Sequence, residues 1–156
     1  MEPTIREFEP PDVEWATMLL TNEFGGPIVV SRGSVHDATA LPGLVALLNG
    51  VTVGLVNYHV IDDECEVVSI VGRGVGAALL QAVQRRAAEL GCRRMWLVTT
   101  NDNTRALRFY QRLGWDLVAL HRDSMTAARR LKPAIPAEGC DGIPIRHELE
   151  LELALR

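Results

Sequence analysis

Val71-Gly72-Arg73-Gly74-Val75-Gly76-Ala77 separates two parts of the chain whose hydrophobic residues recur with different periods. Upstream, residues 43–48, 52–61 and 64–70 are rich in Val, Leu and Ile and read as strands. Asn49-Gly50 joins the first two, since that dipeptide supplies the positive φ angles of a two-residue hairpin turn, and Asp62-Asp63 forms the next turn. Downstream, Val75, Leu79, Val83, Ala87 and Leu90 recur at helical spacing, with Gln81, Gln84, Arg85 and Glu89 largely on the other side and Gly91 as a left-handed stop. The glycine loop therefore lies where a strand passes into a long amphipathic helix. Without Cβ atoms the backbone turns sharply and admits a ligand closely, and the free N–H groups of the helix's first turn point outward with the positive end of its dipole. Arg73 adds a full positive charge, which makes the loop an anion site suited to a pyrophosphate. The alternative is a turn that serves only tight strand–helix packing. A nucleotide P-loop needs GxxxxGK[ST], and the chain has no Lys-Ser or Lys-Thr. The dinucleotide fingerprint is also unmet, because these glycines run GxGxG after an antiparallel meander.

Away from the loop, residues 12–20 form a helix with Asp12 as N-cap, and residues 28–31 a short strand. Residues 94–99 read as a buried strand, followed by Asn101-Asp102-Asn103 as caps for a helix over 104–113 that Gly114 ends. A strand over 115–120 and a short helix over 123–131, capped by Asp123 and stopped before Pro133, come next. The tail, residues 145–155, alternates Leu149, Leu151, Leu153 and Leu155 against Glu148, Glu150 and Glu152, as a strand with one buried face does. Meander, strand–helix–strand–helix–strand and closing strand together define an α/β (α+β) sheet protein, expected to be one domain over 1–156. The 156 residues are 47% hydrophobic, enough to build a core unaided. Sixteen Lys and Arg against 20 Asp and Glu leave a formal charge of −4 with no basic run, which argues against nucleic acid as a partner. Cys65, Cys92 and Cys140 are odd in number and without a CxxC pair, so neither a disulfide framework nor a structural zinc site is expected. Four histidines, His36, His59, His121 and His147, lack metal-ligand spacing, so no metal is expected. The acidic N-terminus is unlike a signal peptide, and polar residues interrupt the most apolar stretch, residues 41–61. The expectation is a soluble cytoplasmic protein with no membrane partner.

Gly72-Arg73-Gly74-Val75-Gly76 followed by Ala77-Ala78-Leu79-Leu80 resembles motif A of the GNAT acyltransferase superfamily. Asn103-Thr104-Arg105-Ala106-Leu107-Arg108-Phe109-Tyr110-Gln111-Arg112-Leu113-Gly114-Trp115 is similar to that family's motif B, NxxAxxFYxxxGF, in the right order and with the 95–99 strand between. The resemblance covers about half the chain, and the closing segment looks like a bacterial GNAT subgroup of unassigned substrate. It implies a mixed, mostly antiparallel sheet flanked by helices and splayed at an acetyl-CoA site. It further implies acetyl-CoA-dependent transfer of an acetyl group to an amine of a small molecule or a protein. The pyrophosphate would lie on Gly72, Arg73, Gly74, Val75, Gly76 and Ala77, with the pantetheine arm beside Ile70 and Val71. The thioester would be near Asn103 and Tyr110.

By the same resemblance Tyr110, whose phenol ordinarily titrates near 10, would protonate the departing thiolate, unless it is only a core aromatic. A carboxylate on the preceding strand would deprotonate the amine; Glu64 and Glu66 are the candidates, with Glu66 preferred as nearer the loop. Two departures stand out. Val71 occupies the position where motif A begins with Gln or Arg, which favours a second reading as a CoA-binding regulatory module without turnover. Several residues that the family carries between strand and loop are missing between Ile70 and Val71, so a break or strained join is expected near residues 70–72. The alternating C-terminal strand is expected to be available for pairing across a homodimer.

Overall fold

The computed structural model of the chain describes residues 2–155. Nine strands are present among them: β1 (Thr4–Glu7), β2 (Ile28–Ser31), β3 (Ser34–Asp37), β4 (Gly43–Leu48), β5 (Val51–Ile61), β6 (Glu64–Gly72), β7 (Arg94–Thr100), β8 (Asp116–His121) and β9 (Glu148–Ala154). Four α-helices accompany them: α1 (Val13–Phe24), α2 (Gly76–Glu89), α3 (Thr104–Arg112) and α4 (Met125–Leu131). Seven strands form one sheet in the order β1-β4-β5-β6-β7-β9-β8, while β2 and β3 form a separate hairpin. All main-sheet pairings are antiparallel except β6–β7.

The meander follows from its turns. Asn49 and Gly50 take φ of 52° and 77°, the left-handed pair that a tight hairpin demands. Helices α2 and α3 pack on one face of the sheet, where Leu79, Leu80, Val83 and Tyr110 meet Val56, Val67, Met95, Leu97 and Leu151. Full burial of each Leu or Val stabilises the fold by about 1.5–3 kcal/mol. Helix α1 packs on the opposite face through Ala16 and Leu20, against Val45, Leu55 and Val71. Helix α4 closes over the hairpin through Met125, Ala128 and Val30.

Several expectations are corrected. Asp12 does not cap α1 through its side chain; its carboxylate binds both terminal nitrogens of Arg6, each at 2.8 Å, and accepts the Glu9 N–H at 2.9 Å. Charge pairing there outcompetes capping. Asp123 likewise gives its carboxylate to Arg146 at 3.0 Å, and Ser124 takes the N-cap position. Leu90 is exposed, because α2 has already ended at Glu89. Strand β9 lies between β7 and β8, so it offers no free edge; β8 is the edge strand on that side and β1 on the other. The Glu side of β9 is not a solvated face either, since Glu148 is buried and Glu150 and Glu152 bind Arg94.

No break or strained join occurs between Ile70 and Gly72. Strand β6 runs unbroken beside β5 as far as the Gly54↔Gly72 pair. The change of direction is confined to glycines, Gly72 (φ 156°) and Gly74 (φ 74°). The join is short because Gly54 and Gly72 bring the backbones close: a Cβ on Gly72 would lie 3.1 Å from the Gly54 Cα. A Cβ on Gly54 would lie 2.5 Å from Val75 Cγ2 and 3.1 Å from the Val71 carbonyl oxygen. Gly54→Ala is therefore expected to lower unfolding free energy by about 1–3 kcal/mol in a denaturant titration; an unchanged midpoint would show that the contact relaxes freely.

Candidate active site

The site begins where two strands part. Strands β6 and β7 pair in parallel at Glu64↔Arg94, Cys65↔Met95 and Glu66↔Trp96, and no further. Strand β6 keeps β5 as its partner up to Gly72, with a bulge between the Tyr58↔Val67 and Asn57↔Ser69 pairs. Strand β7 keeps β9 along its whole length. Residues 67–72 therefore present their β7-facing backbone edge without a strand partner over roughly 20 Å, at about 3.3 Å per residue. An unpaired edge inside a sheet invites an extended, amide-bearing ligand to complete the ladder.

The glycine loop continues from that edge. Val75 occupies the N-cap of α2 and makes no side-chain capping bond, so the first-turn N–H groups of Gly76, Ala77 and Ala78 lack an intrahelical acceptor. Arg73 and Gly74 are exposed beside them. Val71 and Val75 are buried in the two clusters that flank the sheet, so these candidates can offer a ligand only their backbones. Ile70 is half-buried on the free-edged part of β6. The loop meets α3 directly: a Cβ on Gly76 would lie 3.0 Å from Phe109 Cζ, and that close approach is why glycine is needed there.

Tyr110 follows Phe109 on α3, buried, with ring centroids 5.3 Å from Phe109 and 5.6 Å from Trp115. Burial alone pushes its phenol up to about 12, with no hydrogen bond contributing. It shares a cluster with Val67 and Leu97, which stand on the two diverging strands. Asn103 caps α3: its Oδ1 accepts the Ala106 N–H at 3.2 Å, while Nδ2 donates to Thr99 Oγ1 at 3.3 Å. The neighbouring Asp102, buried, accepts the Cys140 N–H at 3.1 Å and ties the C-terminal segment to the same turn.

Glu66 stands at the last β6–β7 pair, on the face of the sheet opposite Tyr110. It is 6% exposed, and its Oε2 accepts the Ser31 hydroxyl at 2.5 Å. His36 Nε2 is 3.6 Å from its Oε1. Burial raises the Glu66 carboxyl above the usual range; the Ser31 bond and nearby His59 work against that, and Glu148 and Glu150 reinforce it. A cavity of about 210 Å³ opens beside it, lined by His59, Ile61, Asp62, Glu64, Glu66 and Trp96. Glu64 is less available, being bound to Arg93 at 2.7 Å and to Arg94 at 2.8 Å. Among the described residues no group of His, Cys, Asp or Glu forms a metal-ligand set.

The structure thus brings the glycine loop, Phe109 and Tyr110 to one side of the opening and Glu66 to the other. Sequence reasoning missed Ser31, whose role needs a hairpin folded over a strand 35 residues away in the chain. It also missed Asn57 and Ser69, a buried pair bonded at 3.2 Å in which Asn57 Nδ2 has no partner. No local pattern announces such pairs.

Comparison with known proteins agrees with this geometry. The acetyltransferase (GNAT) family model matches residues 9–115. The chain is 36% identical over 148 residues to the uncharacterized protein YdhI of Bacillus subtilis, covering 89% of this chain and 92% of that one. The fold is similar to a Bacillus subtilis acetyltransferase solved in complex with CoA, with TM-score 0.74, 19% identity and coverage of 99% and 100% of the two chains. It is also similar to a GNAT family acetyltransferase of Elizabethkingia anophelis with acetyl-CoA bound, with TM-score 0.69, 17% identity and 98% of each chain covered. This chain belongs to the GNAT family and is an acetyltransferase. No helix among the described residues is long and apolar enough to cross a membrane.

The raised Glu66 carboxyl has a definite sign in stability. The folded chain holds this proton more tightly than the unfolded chain, so the contribution is full below the ordinary Glu value and falls as pH rises through the higher folded value. The stability of wild type relative to Glu66→Gln, from urea titrations at several pH values, is expected to decline over that window. Parallel stability curves would show that Glu66 titrates as an ordinary surface carboxylate.

Proposed function

We propose that the chain, as a single domain over 1–156, is an acetyl-CoA-dependent N-acetyltransferase acting on an amine of a small molecule or a protein in the cytoplasm. One observation carries this reading: the one parallel strand pair of the main sheet among the described residues opens beyond Glu66, directly before an uncapped glycine-rich helix N-terminus. The open edge and that N-terminus fit the two halves of the donor. Gly72, Arg73, Gly74, Val75, Gly76 and Ala77 would hold the diphosphate through backbone N–H groups and the Arg73 charge. The edge at Ile70 and Val71 would pair with the amides of the pantetheine arm. When bound, the donor supplies an acyl thioester at the opening.

Chemistry falls to the two sides of the opening. Glu66, bound by Ser31 and facing the cavity, takes a proton from the acceptor ammonium so that a lone pair is free to attack. Tyr110, kept protonated by burial, delivers its proton to the leaving sulfur. Asn103 acts by fixing the start of α3, and with it the position of Tyr110. The exposed Leu117, Val118 and Leu120 on edge strand β8 support self-association of the chain.

Val71 favours the second reading, a CoA-binding module without turnover, because its side chain is buried where motif A has Gln or Arg. Release of CoA thiol over an amine panel separates the two. Acetyl-CoA at 100 times its Kd is expected to stabilise the fold by about 2.7 kcal/mol in thermal melts. Tyr110→Phe is expected to lower kcat by about 10²- to 10⁴-fold while leaving that stabilisation in place. Binding without thiol release supports the module; no stabilisation by acetyl-CoA contradicts both readings.

A further inference from the structure

Acetylation of an ammonium group releases one proton overall: the ammonium and the thioester become an amide, a thiol and H⁺. A carboxylate as buried as Glu66 needs an outlet for that proton before it can act again. The hairpin β2–β3 lies over this carboxylate and gives its two oxygens different neighbours. Ser31 from β2 donates to Oε2 at 2.5 Å, and His36 from β3 places Nε2 3.6 Å from Oε1. The His36 side chain is 12% exposed, so one side of the ring faces Glu66 while the residue still reaches solvent.

The other charged groups around Glu66 are occupied or differently placed. His59, opposite Glu66 in the β5–β6 register, lines the cavity, its ring 5.2 Å from that of His36. Glu148 on β9 accepts the Arg32 N–H at 3.1 Å and faces the Arg32 guanidinium at 3.7 Å. Glu150 on β9 binds His121 at 2.9 Å and Arg94 at 3.3 Å. Among the described residues His36 has no ion-pair partner other than Glu66.

We propose that His36 is the proton outlet of the site, receiving at Nε2 the proton that Glu66 takes from the acceptor ammonium and releasing one from Nδ1 to water, while Ser31 holds the carboxylate in register. This rests on the acetyltransferase reading above. Of the two N–H protons that the ammonium loses, one forms O–H on Glu66 and passes on as N–H to His36, while the other leaves the tetrahedral adduct for Tyr110 and replaces the proton given to the sulfur. The Nδ1–H of the resulting imidazolium then passes to solvent, and proton exchange with water moves the remaining N–H from Nε2 back to Nδ1, which restores the accepting tautomer. The 3.6 Å gap is longer than a hydrogen bond, so transfer requires the two groups to draw together in the loaded site. Burial works on the two groups in opposite directions, raising the carboxyl and lowering the imidazole, which narrows the gap between their proton affinities.

Thiol release is measured across pH with benzylamine, putrescine and the peptide Ala-Gly-Gly as acceptors, for wild type, His36→Gln, His36→Ala and Ser31→Ala. His36→Gln is expected to lose about 10- to 100-fold in kcat, with acetyl-CoA binding unchanged and the acid limb of the pH profile altered. Added imidazole is expected to restore His36→Ala, which a merely structural role would not permit. Independently of any acceptor, the His36 ring titration followed by NMR is expected to move to lower pH in Glu66→Gln, because the carboxylate that favours imidazolium is gone. Wild-type turnover in His36→Gln overturns the outlet alone. Loss of turnover without imidazole rescue, or a His36 midpoint identical in wild type and Glu66→Gln, also overturns it. A wild type that acetylates none of the three amines contradicts the acetyltransferase reading, and the outlet with it.

Discussion

The organisation of the molecule depends on a contest between strand pairings. Strand β6 follows β5 through to Gly72, and β7 follows β9 from Arg94 to Thr100, so each of the two central strands has a partner it does not leave. What remains between them is a short parallel seam from Glu64 to Glu66. Sheet twist separates strands that are not tied together, and a bulge on β6 just beyond Glu66 increases it. The opening that results is fixed by hydrogen bonds on its outer sides and therefore persists without a ligand. The elements proposed for binding and catalysis are the free edge of β6 and the helix N-terminus after Gly74, with Tyr110 on one face of the sheet and Glu66 on the other.

Electrostatics at the opening are tuned by the groups that cover it. The acidic side of β9 would repel itself if left bare, yet Arg94 bridges Glu64, Glu150 and Glu152, and Arg32 meets Glu148. Glu66 itself has a hydroxyl and an imidazole as neighbours, and burial, reinforced by Glu148 and Glu150, gives it an elevated proton affinity. A carboxyl so placed is a stronger base than one on the surface, while the phenol across the sheet stays protonated. Their surroundings thus suit the two groups to the different roles proposed for them.

Most of the architecture was legible because it is local. Period-two runs, the Asn49-Gly50 turn, the helical spacing after Val75 and the stops at Gly91 and Gly114 each state a conformation within a few residues. Strand β1 was missed because Thr4–Glu7 is short and polar, and it is a strand only through pairing with β4. Strand β3 was missed for a related reason, although the Arg32-Gly33 turn, with φ of 48° and 79°, marks the hairpin. The join at residues 70–72 was misjudged because continuity there depends on Gly54, eighteen residues upstream, allowing Gly72 to approach. Of the site, the loop and the α3 residues lie in contiguous motifs and could be read. Ser31 and the position of His36 could not, since their meaning comes from a hairpin laid across a distant strand.

The edge of β6 beyond Glu66 is open in the free protein, and the proposed function requires the acyl donor to fill it. Amide hydrogen exchange of residues 67–72, with and without acetyl-CoA, tests it most directly. The amides of that segment that face away from β5 should exchange readily in the free protein and become protected when acetyl-CoA is bound, together with the amides of Gly76 and Ala77. Protection already complete without acetyl-CoA would mean that the edge is not open, and exchange unchanged at saturating acetyl-CoA would mean that the donor does not bind there.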